Sequence, residues 1–520
     1  MTTDAPLRNW IAVLGASVGC FLAVFSIQGT GSLLADIQSS LGASADEGSW
    51  IQTAYLVGGT VIIPPIGWLS RTFSTRLFLV GNGLLFVVLT IACGLARELD
   101  HMIALRALQG LTAGVMIPVA FTLIITLLPE ARQAVGLSIW AISIALGTAV
   151  GPVLGGWLMD IWGWPALFFV GVVPGLVMVA MLWASLEPEP MQLGLLRQGD
   201  WLGIATMTVG LGCLQTLLEE GERADWFDST MIVRLAAIAA LSLLLFVWIE
   251  LKVKNPLVDL RLLARRNFAA GSLAMFLFGI ALFGSLFLLP VYLARVQGYN
   301  AAQIGLVVAW TALPQLLTIP LVPLLLKRVD ARWLAGLGLA LFAASNLMIS
   351  ALTRDVAAEQ LLVPNVMRAL GEGLLLTPLS MLAIVGIAAA DAASASALLA
   401  IIRTLGGSIG IAALKTFIAR REQFHVDRMS EAVSLLDEGT RERLAALKHF
   451  FMEQGGSDAV IAGQKAMAAI AGSVNQQATV MAFGDAFYML AAALLLSLAT
   501  IAVWRRPTAA APASAGAAAN

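Results

Sequence analysis

Along this chain, stretches of about twenty consecutive apolar residues alternate with short breaks of charged or proline-rich sequence, from residue 10 almost to the C-terminus. Wound as a helix at about 1.5 Å per residue, such a run crosses a hydrocarbon layer about 30 Å thick. Counting runs against breaks predicts fourteen membrane helices, at roughly 10–34, 48–68, 77–96, 101–127, 134–158, 164–185, 201–219, 230–251, 268–293, 302–326, 333–353, 361–387, 395–418 and 480–504. Residues 419–479 form a polar stretch before the last run, and the Ala/Pro/Ser-rich tail after Thr508 is expected to be disordered. Within the polar stretch, Leu444, Leu447 and Phe451 share one helical face, with Arg441, Glu442, Arg443 and Lys448 around it. That spacing predicts a short amphipathic helix, seated on the protein's own surface or against a partner.

Composition agrees with the pattern. The 520 residues are 59% hydrophobic and 12% charged, against about 45–50% and 25% in soluble domains, so the membrane part is the machine and not an anchor. A formal net charge of -1 supplies no field to attract nucleic acid. Cys20, Cys93 and Cys213 lie within apolar runs without CxxC spacing and read as small buried hydrophobes. His101, His425 and His449 are dispersed outside the runs, and there is no GxxxxGK[ST] loop. No metal, cofactor, enzymatic or ATP-driven function is therefore expected. The run starting at Asn9 is too long for a signal-peptide core and reads as the first span.

Basic residues orient the spans. With the N-terminus inside, the internal loops hold Arg71, Arg76, Arg132, Arg197, the cluster Lys252, Lys254, Arg261, Arg265 and Arg266, then Lys327, Arg328, Arg332, Arg505 and Arg506. The outer loops hold Arg97, Arg223, Arg234, Arg295 and Arg354, so both termini are expected in the cytoplasm, with 419–479 outside. There is also an internal echo: Arg106-Ala-Leu-Gln-Gly in the fourth run recurs as Arg368-Ala-Leu-Gly-Glu-Gly in the twelfth, each followed by a proline, Pro118 and Pro378. Secondary transporters are commonly built from such repeats, with the binding site between the halves.

The fifth run carries GTAVGPVLGG, with Gly147, Gly151 and Gly155 spaced by four, Gly156 next, and Pro152 among them. A helix interior loses about 1 kcal/mol at Gly and about 3 at Pro relative to Ala, so a compensating contact is required. Glycines four apart share a face and let a second backbone approach, while Pro152 can bend the helix.

This stretch resembles the antiporter motif G-x-x-x-G-P-x-x-G-G of the major facilitator superfamily, in its fourteen-span drug:proton antiporter branch of EmrB/QacA type. Arg106-Ala-Leu-Gln-Gly resembles that branch's R-x-x-Q-G. Further similarities are Asp200-Trp201-Leu202-Gly203, Leu214-Gln215, Asp225-Trp226-Phe227, Asn255-Pro256-Leu257, Asp259-Leu260, Arg266-Asn267-Phe268, the stretch Arg403-Thr404-Leu405-Gly406-Gly407-Ser408-Ile409-Gly410, and Asp485-Ala486-Phe487. They cover essentially the whole chain in order. The resemblance implies an all-α polytopic fold: a six-helix bundle at 1–185, a linker with two inserted helices at 186–267, and a second bundle at 268–504. The tail 505–520 would be cytoplasmic. It further implies a proton-driven exporter of small amphipathic molecules in the inner membrane, surrounded by lipid and working with a periplasmic adaptor and an outer-membrane channel.

Two places depart from the pattern. The loop after the second run, normally G-x-L-a-D-r-x-G-r-k, reads Gly67-Trp68-Leu69-Ser70-Arg71-Thr72-Phe73-Ser74-Thr75-Arg76, with Arg71 at the Asp position and Ser74 at the second Gly. In the first run, Ser26 stands where L-D-x-T-x-x-N would place a carboxylate, and Gln28 follows. A hydroxyl cannot cycle a proton near neutral pH. Glu372 and Asp485 are then the carboxylates available for proton coupling; Glu372 could equally pair with Arg368 four residues before it, and Asp485 could be an interfacial carboxylate. Arg106, Arg368 and Arg403 outnumber them, which points to a positive cavity suited to neutral or acidic amphipaths, lined also by Ser26, Gln28 and Gln109. The conformational elements would be Gly147, Gly151, Pro152, Gly155 and Gly156, with Gly67, Arg71 and Arg76, and Gly406 and Gly407. An uncoupled facilitator, and a transporter-like sensor without turnover, are the alternatives.

Overall fold

The computed structural model describes residues 6–501 apart from 198, 254–255, 257, 352, 354–357, 386, 388–391, 434–436 and 454–457. Asn255, Leu257, Lys254, Arg354, Arg505, Arg506 and the tail 505–520 therefore lie outside the described residues.

The apolar runs become helices, labelled here in chain order: α1 (Leu7–Ser32), α2 (Trp50–Val61 with Ile66–Phe73), α3 (Thr75–Gly94), α4 (Leu99–Leu127), α5 (Glu130–Trp162), α6 (Pro165–Ser185), α7 (Trp201–Glu220), α8 (Thr230–Lys252), α9 (Arg266–Arg295), α10 (Ala301–Ala309 with Gln315–Leu325), α11 (Ala331–Ser350), α12 (Ala358–Ile384), α13 (Ala392–Ala432), the amphipathic α14 (Glu438–Glu453) and α15 (Ala459–Thr500). Twelve of these are long and apolar enough to cross a membrane, thirteen if the two parts of α2 count as one span. The breaks sit where the sequence removes backbone donors. Pro64 and Pro65 interrupt α2, whose halves meet at 66°, and residues 310–314, ending in Pro314, interrupt α10. Helix starts are capped by their own side chains: Asp200 accepts from the Gly203 amide at 2.9 Å, and Asn300 and Gln303 form a reciprocal capping box.

Two expectations need correction. The run expected at 302–326 is not one continuous span, because the break at 310–314, ending in Pro314, divides it into two short helices. The stretch 419–479, expected as a polar loop with one short helix, is mostly helical: α13 continues through Ala432, and α15 begins at Ala459, well before the apolar run at 480. Hydropathy ends where lipid would end, but a stretch without a single proline lets both helices keep winding. The amphipathic α14 packs on α15, with Leu444, Leu447 and Phe451 half-buried.

Packing repeats between the first six and the last spans. The pairs α1·α5, α2·α4, α1·α6 and α3·α6 recur as α9·α13, α10·α12, α9·α15 and α11·α15. The halves meet through α5 against α10 and α4 against α13, while α7 lies between α2 and α13. One large apolar cluster runs through both halves, from Cys20 and Met116 to Phe278 and Leu399. Helix α8 touches chiefly α7 and leaves Leu241, Leu244 and Trp248 exposed, as a helix facing lipid would.

Candidate substrate and coupling site

Burial of Arg106 is complete, at 0% exposure. Its Nη1 donates to Ser26 Oγ at 2.9 Å and to Gln109 Oε1 at 2.7 Å, and its Nε to the Ile51 carbonyl at 3.4 Å. The guanidinium lies over the Tyr55 ring, 4.1 Å from its centre. Gln109, also fully buried, passes the network on by donating to Thr90 Oγ1 at 2.8 Å. Removing a cation from water costs several kcal/mol unless partners replace its hydration. Here neutral oxygens and an aromatic face replace it, since among the described residues Arg106 forms no ion pair. Beside Ser26 a void of about 10 Å³ is lined by Thr30, Thr90 and Phe168.

The matching position on α12 is built differently. Arg368, at 1% exposure, donates from Nε to Glu372 Oε1 at 2.6 Å, and Gln315 on α10 donates to Glu372 Oε2 at 2.7 Å. The spacing of four puts Arg368 and Glu372 on one face, as the sequence suggests. Glu372 thus takes hydrogen bonds from two helices at once. Arg106 and Arg368 each leave one guanidinium nitrogen, Nη2, without a protein partner.

Arg403 on α13 contacts a cavity lined also by Phe121, Trp140, Met275, Ser380 and Ser396. Its Nε has no protein partner, and its guanidinium lies 6.0 Å from the Trp140 ring centre. The cavity has about 30 Å³ open to the centre of a water-sized sphere. That is room for about two waters, well short of the ~300–1,000 Å³ of a small-molecule site. The lining residues come from α4, α5, α9, α12 and α13, so the cavity lies where the two halves meet.

The glycines of α5 lie against the α1 backbone. A Cβ at Gly147 would stand 2.8 Å from the Phe21 carbonyl and from Val24 Cβ, one at Gly151 3.0 Å from the Gly29 nitrogen, and one at Gly155 3.0 Å from Ser32 Oγ. Gly156 is buried beside them, and half-buried Gln28 sits in this seam, its Cβ 3.1 Å from the Gly151 position. Pro152 and Val153 turn toward α10, where a Cβ on Gly305 would meet Val153 at 3.6 Å. Helix α5 therefore faces its own half on one side and the other half on the opposite side. On α13, Gly406 lies against the Phe276 backbone of α9 and Gly407 against the Phe283 ring.

The loop from α2 to α3 replaces the missing charge with aromatic contacts. Arg71 is exposed and only reaches back to the Gly67 carbonyl at 3.2 Å. Trp68 instead packs edge-on against Trp201, 5.1 Å between centres, and donates to the Leu195 carbonyl at 3.3 Å. Arg76 lies 4.1 Å over Trp183. Ser74, at the motif's glycine position, has φ 68, in the region that favours glycine.

Asp485 is not isolated. Arg421 donates to its Oδ2 at 2.6 Å, and His425 Nε2 lies 2.8 Å from the same oxygen. Both partners come from the extension of α13, so His425, dispersed in the sequence, is buried at 7% exposure. Sequence reasoning also missed the end of α7. Glu220, at 3% exposure, accepts from Thr53 Oγ1 at 2.9 Å and Ser49 Oγ at 3.2 Å on the α2 side. Gln215, at 0%, accepts from Ser408 of α13 at 2.9 Å. Two adjacent glutamates closing an apolar run read as an interface; only the partners on other helices mark them.

Comparison with known proteins places this arrangement. The family profile described as Major Facilitator Superfamily matches residues 16–411. The Multidrug export protein EmrB of Haemophilus influenzae is 32% identical over 434 residues, 82% of this chain and 83% of the relative. The Fatty acid resistance protein FarB of Neisseria gonorrhoeae is 28% identical over 496 residues, 95% of each chain. Among solved structures, a bacterial homolog of the human lysosomal transporter Spinster aligns with TM-score 0.55 at 16% identity, covering 96% of this chain and 98% of that one.

Proposed function

The chain belongs to the Major Facilitator Superfamily, and from that premise we propose that it is a secondary efflux transporter, moving small amphipathic molecules out of the cell in exchange for protons. The single observation that carries this reading is Glu372, a buried carboxylate held by α12 together with α10, the helix that packs against α5 of the other half. A proton arriving at Glu372 Oε2 takes the lone pair that Gln315 uses and cancels the charge that faces Arg368. The α10–α12 contact then loosens, and the rocking equilibrium shifts because the two states differ in affinity for the proton. Arg106, with Gln109 and Ser26, braces the corresponding place in the first half.

In this reading the chain has fourteen spans, counting bent α2 and broken α10 as one each. Bundles at 1–185 and 268–504 flank an inserted pair at 186–267, in the inner membrane with both termini cytoplasmic. The α5 and α13 glycine seams hold each bundle together as a rigid unit, and the bundles rock about the opposite face of α5, where Pro152 and Val153 meet α10. Arg403, with a free Nε and an aromatic neighbour in the central cavity, suits a carboxylate-bearing amphipath; the fatty acid resistance named for the gonococcal relative is in keeping with that chemistry. The α13–α15 projection would face the periplasm, where an adaptor leading to an outer-membrane channel would dock.

The purified protein in liposomes, with lumenal pH recorded on adding acidic, neutral and cationic amphipaths, tests the proposal. Substrate-triggered proton movement that disappears in Glu372→Gln is the expected result. Unimpaired exchange in that variant would remove Glu372 from the mechanism. Substrate flux without proton movement would make the protein an uncoupled facilitator, with Ser26 the decisive departure.

A further inference from the structure

Arg106 is a buried cation for which the first half supplies no anion. Among the described residues its hydrogen bonds end on Ser26 Oγ, Gln109 Oε1 and the Ile51 carbonyl, all neutral, and its Nη2 has no protein partner. Arg368, at the matching position of the second half, has Glu372 at 2.6 Å. Against Ser26 lies the void of about 10 Å³, room for one small occupant. Three of its walls belong to the surroundings of Arg106: Ser26 itself, Thr90, which accepts from Gln109 at 2.8 Å, and the Phe168 ring, whose centre is 6.0 Å from the guanidinium carbon.

The polar groups lining that void are short of acceptors, not of donors. The Thr30 hydroxyl, at 0% exposure, has no partner. Ser26 receives the Arg106 proton at its oxygen, and its own O–H finds no acceptor among the described residues. Thr90 spends its O–H on the Phe86 carbonyl at 2.7 Å. The side chains of Leu22, Phe86 and Leu167 complete the wall and accept nothing. An occupant suited to this place accepts hydrogen bonds, fills one small sphere and carries negative charge near the guanidinium. Water meets the first two conditions and leaves the charge unbalanced.

We propose that this void is a chloride site, in which an exchangeable halide held by Ser26 and Thr30 replaces the carboxylate that the chain lacks at residue 26. Ser26 then links the two charges, accepting from Arg106 Nη1 and donating to the anion, so that the cation polarises the hydroxyl that holds the halide. The apolar walls strengthen the attraction between the two charges and raise the penalty for burying either alone. The site joins α1, which carries Ser26 and Thr30, to α4, which carries Arg106, through a partner drawn from solution and not from the chain. An aspartate at residue 26 would supply the countercharge permanently; with a serine it depends on the salt present. No covalent bond is made or broken, and the inference stands whether or not transport is driven by protons.

The full chain in detergent tests this through its thermal midpoint, measured as sodium chloride replaces sodium gluconate at constant ionic strength. Gluconate is too large for the void. The wild type is expected to gain stability with chloride and to saturate, as it does with a single-site ligand of the folded state, and bromide should act in place of chloride. Thr30→Val keeps the shape and loses the hydroxyl, and should need roughly tenfold more chloride for half the effect, the usual worth of one hydrogen bond to an ion. Ser26→Asp carries its own negative charge and should show no chloride response. Identical wild-type midpoints in chloride and gluconate would overturn the site, since water would then be the most it holds. A chloride response that survives unchanged in Thr30→Val and Ser26→Asp would overturn it too, because the anion would be binding elsewhere. Should Ser26→Asp not fold, the Thr30→Val titration alone decides. None of these results bears on Glu372, which is read by proton exchange.

Discussion

Arg106 and Ser26 meet through a 2.9 Å hydrogen bond from Nη1 to the hydroxyl oxygen, so a fully buried cation is held by a neutral side chain at the position where the family pattern carries a carboxylate. The contact makes Ser26 an acceptor that the fold cannot lose without cost. Ser26→Ala should destabilise by about 1–3 kcal/mol, the cost of leaving one buried donor unpaired, read as a lower thermal midpoint in detergent. Ser26→Asp supplies an acceptor again and should not fall below Ser26→Ala. Equal midpoints for Ser26→Ala and the wild type would show that the guanidinium does not depend on this bond.

The glycines on the two sides of α5 differ in how much room surrounds them, Gly147 facing α1 and Gly305 of α10 facing Val153, and this separates two substitutions of the same size. Gly147→Ala places a methyl 2.8 Å from Val24 Cβ and the Phe21 carbonyl. Overpacking of this kind costs about 1–3 kcal/mol and should lower both thermal midpoint and export. Gly305→Ala meets Val153 at an ordinary 3.6 Å and should stay within about 0.5 kcal/mol of the wild type. Similar losses in both variants would sink the assignment of the tight seam to α1.

Ser74 adopts φ 68, a backbone conformation that a side chain disfavours, and its Oγ is buried without a partner. Ser74→Gly should therefore stabilise by about 1 kcal/mol, through relief of strain. Ser74→Ala keeps the strained backbone and should fall short of the glycine variant. A thermal-shift series of the three proteins decides it.

Substrate preference can be read at Arg403. If its free Nε meets a carboxylate, Arg403→Gln should reduce export of an acidic amphipath at least tenfold, about 1.4 kcal/mol. A neutral amphipath of the same size should change less than threefold. Equal loss for both would mean that Arg403 shapes the cavity and does not recognise charge.

The parts legible in the sequence are those that lipid dictates. Long apolar runs and the Arg106/Arg368 echo follow from solvation and repetition, and the Arg368–Glu372 pair follows from a spacing of four. What stayed hidden depends on residues far apart in the chain. Asp485 reads as a solitary interfacial carboxylate until the continued α13 brings Arg421 and His425 beside it, 64 and 60 positions away. Glu220 sits at the edge of its run, where hydropathy is indifferent, and gains meaning only through Thr53 and Ser49. Prolines 314, 320 and 323 are plain to see, yet composition alone does not say whether they bend a span or divide it.

Helices α13 and α15 are 41 and 42 residues long, rods of about 60 Å at ~1.5 Å per residue. That is about twice the thickness of the hydrocarbon layer. A rod pivoting at its middle is a lever, and a tilt of about ten degrees there sweeps its tip through roughly 5 Å. With α14 packed along α15, the two shafts would carry a small rotation inside the bilayer out into a stroke beyond it.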